Sequence, residues 1–387
     1  MELKQVPSSS KMFTGWGAFS ADSIKGELKL FKYTPKPFED DDVDIQIICC
    51  GICGSDIHTM SGGWRVPDYP QVVGHEIVGK VVRIGGKVSH LSVGDIVGVG
   101  AQCDSCGECV QCNRHSEQYC QGMSYSFDFI DIYSGGMVGT YDSKFKRANS
   151  SKGHKTYGGY SDYHRCPARF AIKLPDGLDP ALAAPMLCGG VTVYSPLVQN
   201  NAGSPDVKDV GIIGIGGLGH FGIMFAKALG ANVTAISHSE RKKQDAFEMG
   251  ASHFISTAGK DGASVFKANR GTLDLIICTT NDPKMPLSRY VSLLRTGGKL
   301  IVVGIPEGGF PPLPGGHLIN NNVYIGGSCI GSPKMIRDMF DLALKQNIKP
   351  WVEKRSFKNI NQAIVDMHAG KAKYRYVLVN DDLKERL

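Results

Sequence analysis

The sequence lacks any uninterrupted apolar run long enough to span a bilayer. Its opening stretch, Met1 to Lys11, is polar and has no apolar core of the kind a signal peptide needs. It also lacks a long run of Lys or Arg: a formal net charge of +6 is spread along 387 residues. Nucleic acid is therefore not the expected partner. No internal repeat is visible. These absences lead to the expectation of a cytoplasmic protein that binds a small molecule, with no membrane and no nucleic-acid partner.

What is present is ordinary in bulk and unusual in detail. Apolar residues make up 42% and charged residues 21%, as in globular chains. The length exceeds what one hydrophobic core usually holds, so two domains are expected. Forty-eight glycines imply many tight turns. Twelve cysteines, several of them clustered, suggest metal binding rather than a disulfide framework.

The pattern changes twice along the chain. The first part is β-rich. Val43 to Ile47 alternates with period two, which predicts a half-buried strand, and the Val/Ile-rich stretch from Val72 to Val99 is broken by glycines into short strands. From Val210 onward, short apolar strands alternate with helical patterns. Strands are expected at 210–213, 232–236, 253–255, 273–278, 299–303 and 323–325, with a helix over 286–294. This alternation predicts an α/β, doubly wound parallel sheet. After Ser332, helices over 334–346 and 359–369 and a strand over 374–379 are expected to return to the first domain. The least regular stretch, 122–158, reads as a loop.

Gly214-Ile215-Gly216-Gly217-Leu218-Gly219 fits the G-x-G-x-x-G fingerprint, follows a buried strand and opens a helix. The first glycine makes the turn, the second lets the backbone approach a pyrophosphate, and the third packs helix on strand. The second strand ends at Ser237, where enzymes selective for NAD carry an acid. Here Ser237, His238, Ser239, Arg241 and Lys242 suit a ribose 2′-phosphate instead. NADP(H) is the expected dinucleotide, with Glu240 pointing away.

Five thiols crowd one segment: Cys103, Cys106, Cys109, Cys112 and Cys120. Four of them could form a closed tetrahedral zinc site, with an iron–sulfur cluster as the other use of such a set. Spacing alone permits Cys103, Cys106, Cys109 and Cys112, although a set closed by the more distant Cys120 is favoured. A second metal signal is Cys53 with His75. A catalytic zinc needs three protein ligands and an open position. The third ligand could be Cys166, Cys188, Cys278 or Cys329, and composition does not choose among them.

The segments Cys-Gly-Ile-Cys-Gly-Ser-Asp-Ile-His (50–58), Val-Val-Gly-His-Glu-Ile-Val-Gly-Lys-Val-Val (72–82), Gly-Val-Gly-Ala-Gln (98–102) and Ala-Ala-Pro-Met-Leu-Cys-Gly-Gly-Val-Thr-Val-Tyr-Ser-Pro-Leu (183–197), with the glycine turn, resemble the zinc-containing medium-chain alcohol dehydrogenases over nearly the whole chain. The likeness is strongest to the cinnamyl-alcohol-dehydrogenase branch and its yeast-type NADP-dependent members. It implies a Rossmann domain over 185–333 and a β-rich, GroES-like catalytic domain over 1–184 and 334–387. It implies a catalytic zinc on Cys53, His75 and Cys188, with Glu76 able to approach it and Asp56 orienting the histidine. It implies a structural zinc on Cys106, Cys109, Cys112 and Cys120, leaving Cys103 spare. Thr192, Gly304, Ser328, Cys329 and Ile330 fall where the family contacts its cofactor.

The resemblance also implies a homodimer, joined through the strand near Val323 to Ile325. The expected reaction is hydride transfer between NADP(H) and an alcohol/aldehyde pair, aromatic or medium-chain aliphatic. Ser55 would take the alcohol proton and pass it by way of the cofactor ribose to His58. Two features depart from the yeast-type pattern: His238 stands where an Arg is usual, and the 122–158 segment is longer. Trp64 is a candidate for the pocket wall or for packing. An NAD-linked polyol or secondary-alcohol dehydrogenase, a zinc-free double-bond reductase and a non-catalytic NADP-binding sensor are the rival readings. The complete set Cys53, His75 and Cys188 argues against the last two.

Overall fold

The computed structural model describes residues 12–122, 136–147, 149–258, 262–306 and 309–386. The chain divides into two units. One comprises residues up to Cys188 with Gly331–Leu344 and Trp351–Leu387; the other comprises Gly189–Ile330 with Lys345–Pro350.

The second unit is built on a six-stranded parallel sheet. Its strands, in chain order, are β1 (Asp209–Ile213), β2 (Asn232–Ser237), β3 (His253–Ser256), β4 (Leu273–Cys278), β5 (Leu294–Val302) and β6 (Tyr324–Gly327). They lie in the order 3-2-1-4-5-6. That is the order of a doubly wound dinucleotide fold, whose strand order reverses beside β1. The inner strands are apolar runs because helices cover both faces. Ile213, Ile236, Ile276 and Leu300 are buried in one core cluster. Each such side chain contributes roughly 1.5–3 kcal/mol on leaving water. The helix expected over 286–294 is shorter, Leu287–Val291, because Leu294 already starts β5.

The first unit holds a seven-stranded sheet centred on the long strand Asp42–Ile52. Ile77–Ile84 pairs with it on one side, and Arg375–Val379 and Tyr163–Pro167 on the other, all antiparallel. The expectation of a half-buried strand over 43–47 is corrected here. Asp44 faces the interior rather than water, because Arg165 neutralises it through two nitrogens at 2.7 and 3.0 Å. The central strand runs directly into Cys53, and the Ile77–Ile84 strand begins just after His75 and Glu76. The sheet thus brings two separated sequence segments to one edge.

The continuous helical stretch Pro180–Gln199 is long and apolar enough to cross a membrane by length and composition. It is 89% buried, as a core helix is. Within the 122–158 segment, residues 123–135 and 148 lie outside the described residues. The rest includes the short strand Val138–Gly139, which pairs with Gln102–Asp104.

Candidate metal centres and dinucleotide site

Cys53 caps the helix Gly54–Ser61 from the extended conformation that ends the central strand. The Asp56 carboxylate accepts from the backbone N–H of Cys53 at 2.9 Å, from that of Gly74 at 3.1 Å and from the Tyr160 hydroxyl at 2.9 Å. His75 Nδ1 stands 3.1 Å from the same carboxylate. Asp56 therefore fixes both the loop that carries Cys53 and the ring of His75. Gly74, at φ 99°, makes the turn that aims His75. An added Cβ there would lie 2.5 Å from the Tyr160 ring.

Cys188 reaches the same place from another direction. Pro185 ends the first α segment of the stretch Pro180–Gln199, and Met186–Gly190 continues it as a wider π turn. Cys188 Sγ lies 3.0 Å from His75 Nε2. One ligand atom each from Cys53, His75, Glu76 and Cys188 lies within 4.8 Å of all the others, and all four residues are buried. The hydrogen bond between the two thiols holds Cys53 well below its ordinary pKa and pushes Cys188 well above it. Burial works to lower the His75 pKa, but the charge of Asp56 and its hydrogen bond outweigh it and raise it. Burial raises Glu76 to about 7 against the pull of Arg375, with which it forms a buried ion pair.

Two soft thiolates and one imidazole suit zinc with an open fourth position. Among the cysteines considered as third ligand, Cys188 is the one brought to Cys53 and His75; Cys166 lies in the strand Tyr163–Pro167 and Cys278 ends β4. Ser55 Oγ is 3.6 Å from Cys53 Sγ. His58 follows one turn later on the same helix, half-buried, its ring stacked on Trp64 at 5.0 Å between centroids.

The second thiol group is local. Cys106, Cys109, Cys112 and Cys120 also gather within 4.8 Å of one another. Backbone N–H groups of Cys106 and Cys109 donate to the sulfurs of Cys120 and Cys106 at 3.4 and 3.3 Å. Ser105 Oγ sits 3.2 Å from Cys112 Sγ and is itself held by Arg169. N–H donors aimed at sulfur favour thiolates, so the donor set fits a closed zinc site. Cys103 stays outside the group, its thiol bonded to the Gly139 carbonyl at 3.4 Å.

In the second unit, Gly214 turns the chain out of β1 at φ 86°, and its carbonyl accepts from Thr279 Oγ1 at 3.0 Å. A Cβ on Gly219 would meet the Gly214 carbonyl oxygen at 1.7 Å, whereas one on Gly216 would meet nothing within 4 Å among the described residues. The turn is therefore closed by backbone contact at Gly219 and open at Gly216, where a pyrophosphate would approach, while Ile215, Gly217 and Leu218 complete the loop before the helix Gly219–Ala228. Ser237 is buried at the end of β2, with the Ser239 N–H donating to its hydroxyl at 3.3 Å. His238 and Arg241 are exposed, and the Lys242 ammonium donates to the Ile215 carbonyl, against the glycine turn. Glu240 pairs with Lys243 at 3.5 Å. Thr192 is buried. Gly304 passes so close to Thr280 that a Cβ would lie 2.4 Å from its carbonyl oxygen. Ser328 donates its N–H to Val302, Cys329 is exposed, and Ile330 takes a left-handed φ of 36°.

Sequence reasoning missed Arg375, Tyr160, Tyr141 and Thr279. Arg375 carried a usable signal, since it is a lone charge opening the otherwise apolar strand Arg375–Val379. The tyrosines and Thr279 carried none.

Residues 39–176 match the family described as alcohol dehydrogenase GroES-like domain, and residues 217–345 match zinc-binding dehydrogenase. The chain is 40% identical to NADP-dependent alcohol dehydrogenase 6 of Saccharomyces cerevisiae, across 97% of this chain and 98% of that one. It is 39% identical to 8-hydroxygeraniol dehydrogenase of Catharanthus roseus, across 94% of each. Among solved structures, a cinnamyl alcohol dehydrogenase of Sorghum bicolor superposes with a TM-score of 0.85 at 33% identity, covering 95% of this chain and 98% of that one. The CAD of Helicobacter pylori, complexed with NADP(H), gives 0.83 at 33% identity, covering 97% and 99%.

Proposed function

Since the chain belongs to the zinc-binding alcohol dehydrogenases, we propose that it is an NADP(H)-linked alcohol dehydrogenase and aldehyde reductase, acting on primary alcohols and their aldehydes, aromatic or medium-chain aliphatic. The observation that carries this reading is the convergence of Cys53, His75 and Cys188, three donors from separate segments meeting in a buried site. Cys53, His75 and Cys188 hold a catalytic zinc, with Glu76 beside it; Cys106, Cys109, Cys112 and Cys120 hold a structural one. When bound, zinc supplies Lewis acidity and NADP(H) supplies the hydride chemistry.

The chain's own residues do the rest. Asp56 keeps the His75 ring oriented, with Nε2 directed at the centre. Ser55 Oγ, beside Cys53, accepts the substrate hydroxyl proton as its own hydrogen passes on toward His58, one turn further along the helix, which releases a proton to solvent. Gly214 to Gly219 seat the pyrophosphate, while Ser237, His238, Ser239, Arg241 and Lys242 meet the 2′-phosphate. Thr192, Gly304, Ser328, Cys329 and Ile330 bound the rest of the dinucleotide.

Metal analysis together with NADPH oxidation across a panel of aldehydes tests the reading. About two zinc per chain and rapid aldehyde-dependent oxidation of NADPH are expected. One zinc and no turnover would remove it. Arg241→Ala should raise KM for NADPH about tenfold and leave KM for NADH unchanged. The protein is expected to be cytoplasmic and homodimeric. β6 supports the dimer: it is exposed along its length, pairs only with β5 among the described residues and presents Tyr324 and Ile325. Light scattering on the purified protein measures the assembly.

A further inference from the structure

The imidazole of His75 has a second neighbour on the Nδ1 side. Tyr141 OH lies 3.0 Å from Nδ1, its ring tilted against the imidazole at 5.3 Å between centroids. The same hydroxyl interacts with Asp56 and Thr59. With Nε2 directed at the metal, Nδ1 carries the proton. That hydrogen is shared between the Asp56 carboxylate, 3.1 Å away, and the Tyr141 oxygen, whose own hydrogen goes to Asp56, which also serves Cys53, Gly74 and Tyr160.

Tyr141 is held in place from three sides. Asp142, the next residue, adopts a left-handed φ of 50°, and Arg65 Nη2 donates to its carbonyl at 2.6 Å. Thr140 is tied through its N–H to the Ala101 carbonyl at 3.0 Å and through its hydroxyl to the Gly100 carbonyl. The strand just before, Val138–Gly139, pairs with Gln102–Asp104, which leads straight into Cys106. Gly136 N–H donates to the carbonyl of Cys120 at 2.7 Å. Both strands of this pair thus continue into the four-thiol lobe.

We infer that Tyr141 is a positioning residue for the zinc ligand His75, presented by a strand pair anchored in the four-thiol lobe, so that the closed metal centre braces the open one. The inference rests on the reading of Cys53, His75 and Cys188 as a zinc centre. It assigns the lobe a role beyond stability: its metal keeps a hydroxyl against the ligand of the other.

The test titrates the zinc-loaded enzyme with a chelator and counts the zinc retained by native mass spectrometry. Tyr141→Phe keeps the ring and removes the hydroxyl. It should melt like the wild type yet lose one of its two zinc equivalents at about tenfold lower chelator, with activity following that equivalent. A purely packing role for Tyr141 would not move this readout. Arg65→Ala, which loosens the segment but leaves the hydroxyl, should shift the same equivalent in the same direction by less. Loss curves of both variants that overlay the wild type would overturn the inference while leaving the zinc reading intact. A wild type that holds a single zinc would instead overturn the zinc reading itself, and the two failures are distinct.

Discussion

Arg375 and Glu76 form a buried ion pair, with both side chains almost wholly removed from water. A guanidinium removed from such a pair leaves an unpaired carboxylate in a low-dielectric site. Arg375→Met should therefore cost about 3–5 kcal/mol in urea denaturation. Adding Glu76→Gln should restore a large part of that loss. A single mutant as stable as the wild type would show that the pair has no structural weight.

Two glycines of the dinucleotide turn should fail in different ways. Gly219→Ala puts a methyl against the Gly214 carbonyl oxygen at 1.7 Å, so the turn must open. A loss of about 3 kcal/mol in stability is expected. Gly216→Ala has nothing within 4 Å to strike among the described residues, so its melting temperature should match the wild type. NADPH affinity, read by fluorescence titration, should still fall about tenfold, because the methyl fills the space a pyrophosphate needs.

The proton route is tested at its two ends. Ser55→Ala should lower turnover on the order of a hundredfold with little change in KM. His58→Gln should lose less and regain activity in concentrated imidazole buffer. Turnover of Ser55→Ala close to the wild type would remove the relay.

His164 gives the pH prediction. Its ring is buried in the strand Tyr163–Pro167, its Nε2 has no hydrogen-bond partner among the described residues, and burial lowers its pKa from 6.5 to about 4. Between those values the unfolded chain binds a proton that the native chain refuses. The contribution is complete above pH 6.5 and is lost as pH falls toward 4, at up to about 1.4 kcal/mol per unit. The stability difference between His164→Met and the wild type should follow that window. A difference independent of pH would contradict it.

What could be read from the sequence was whatever chemistry keeps at short range. The glycine turn is legible because its spacing is a local backbone requirement, and the thiols because four sulfurs near one another have few other uses. Neither signal reaches across the chain. Spacing could not separate Cys103 from its neighbours; its bond to Gly139 does that in the structure. Cys188 came from resemblance, since nothing in its own surroundings marks a ligand until the π turn brings it to His75. Period two along Val43 to Ile47 misplaced Asp44 because its partner, Arg165, lies on a neighbouring strand that is remote in sequence. Tyr141 and Tyr160 look like any other tyrosine until the sheet sets them around Asp56 and His75.

The four thiols of the closed centre lie within one short stretch, whereas the open centre needs Cys53, His75 and finally Cys188, about a third of the chain further on. During synthesis the closed lobe can therefore take its metal while the open site still lacks a ligand. On the proposed zinc assignment, assembly would follow chain order: a zinc in the closed lobe needs only local chain closure, whereas one in the open site needs the long-range topology that brings Cys188 to Cys53 and His75.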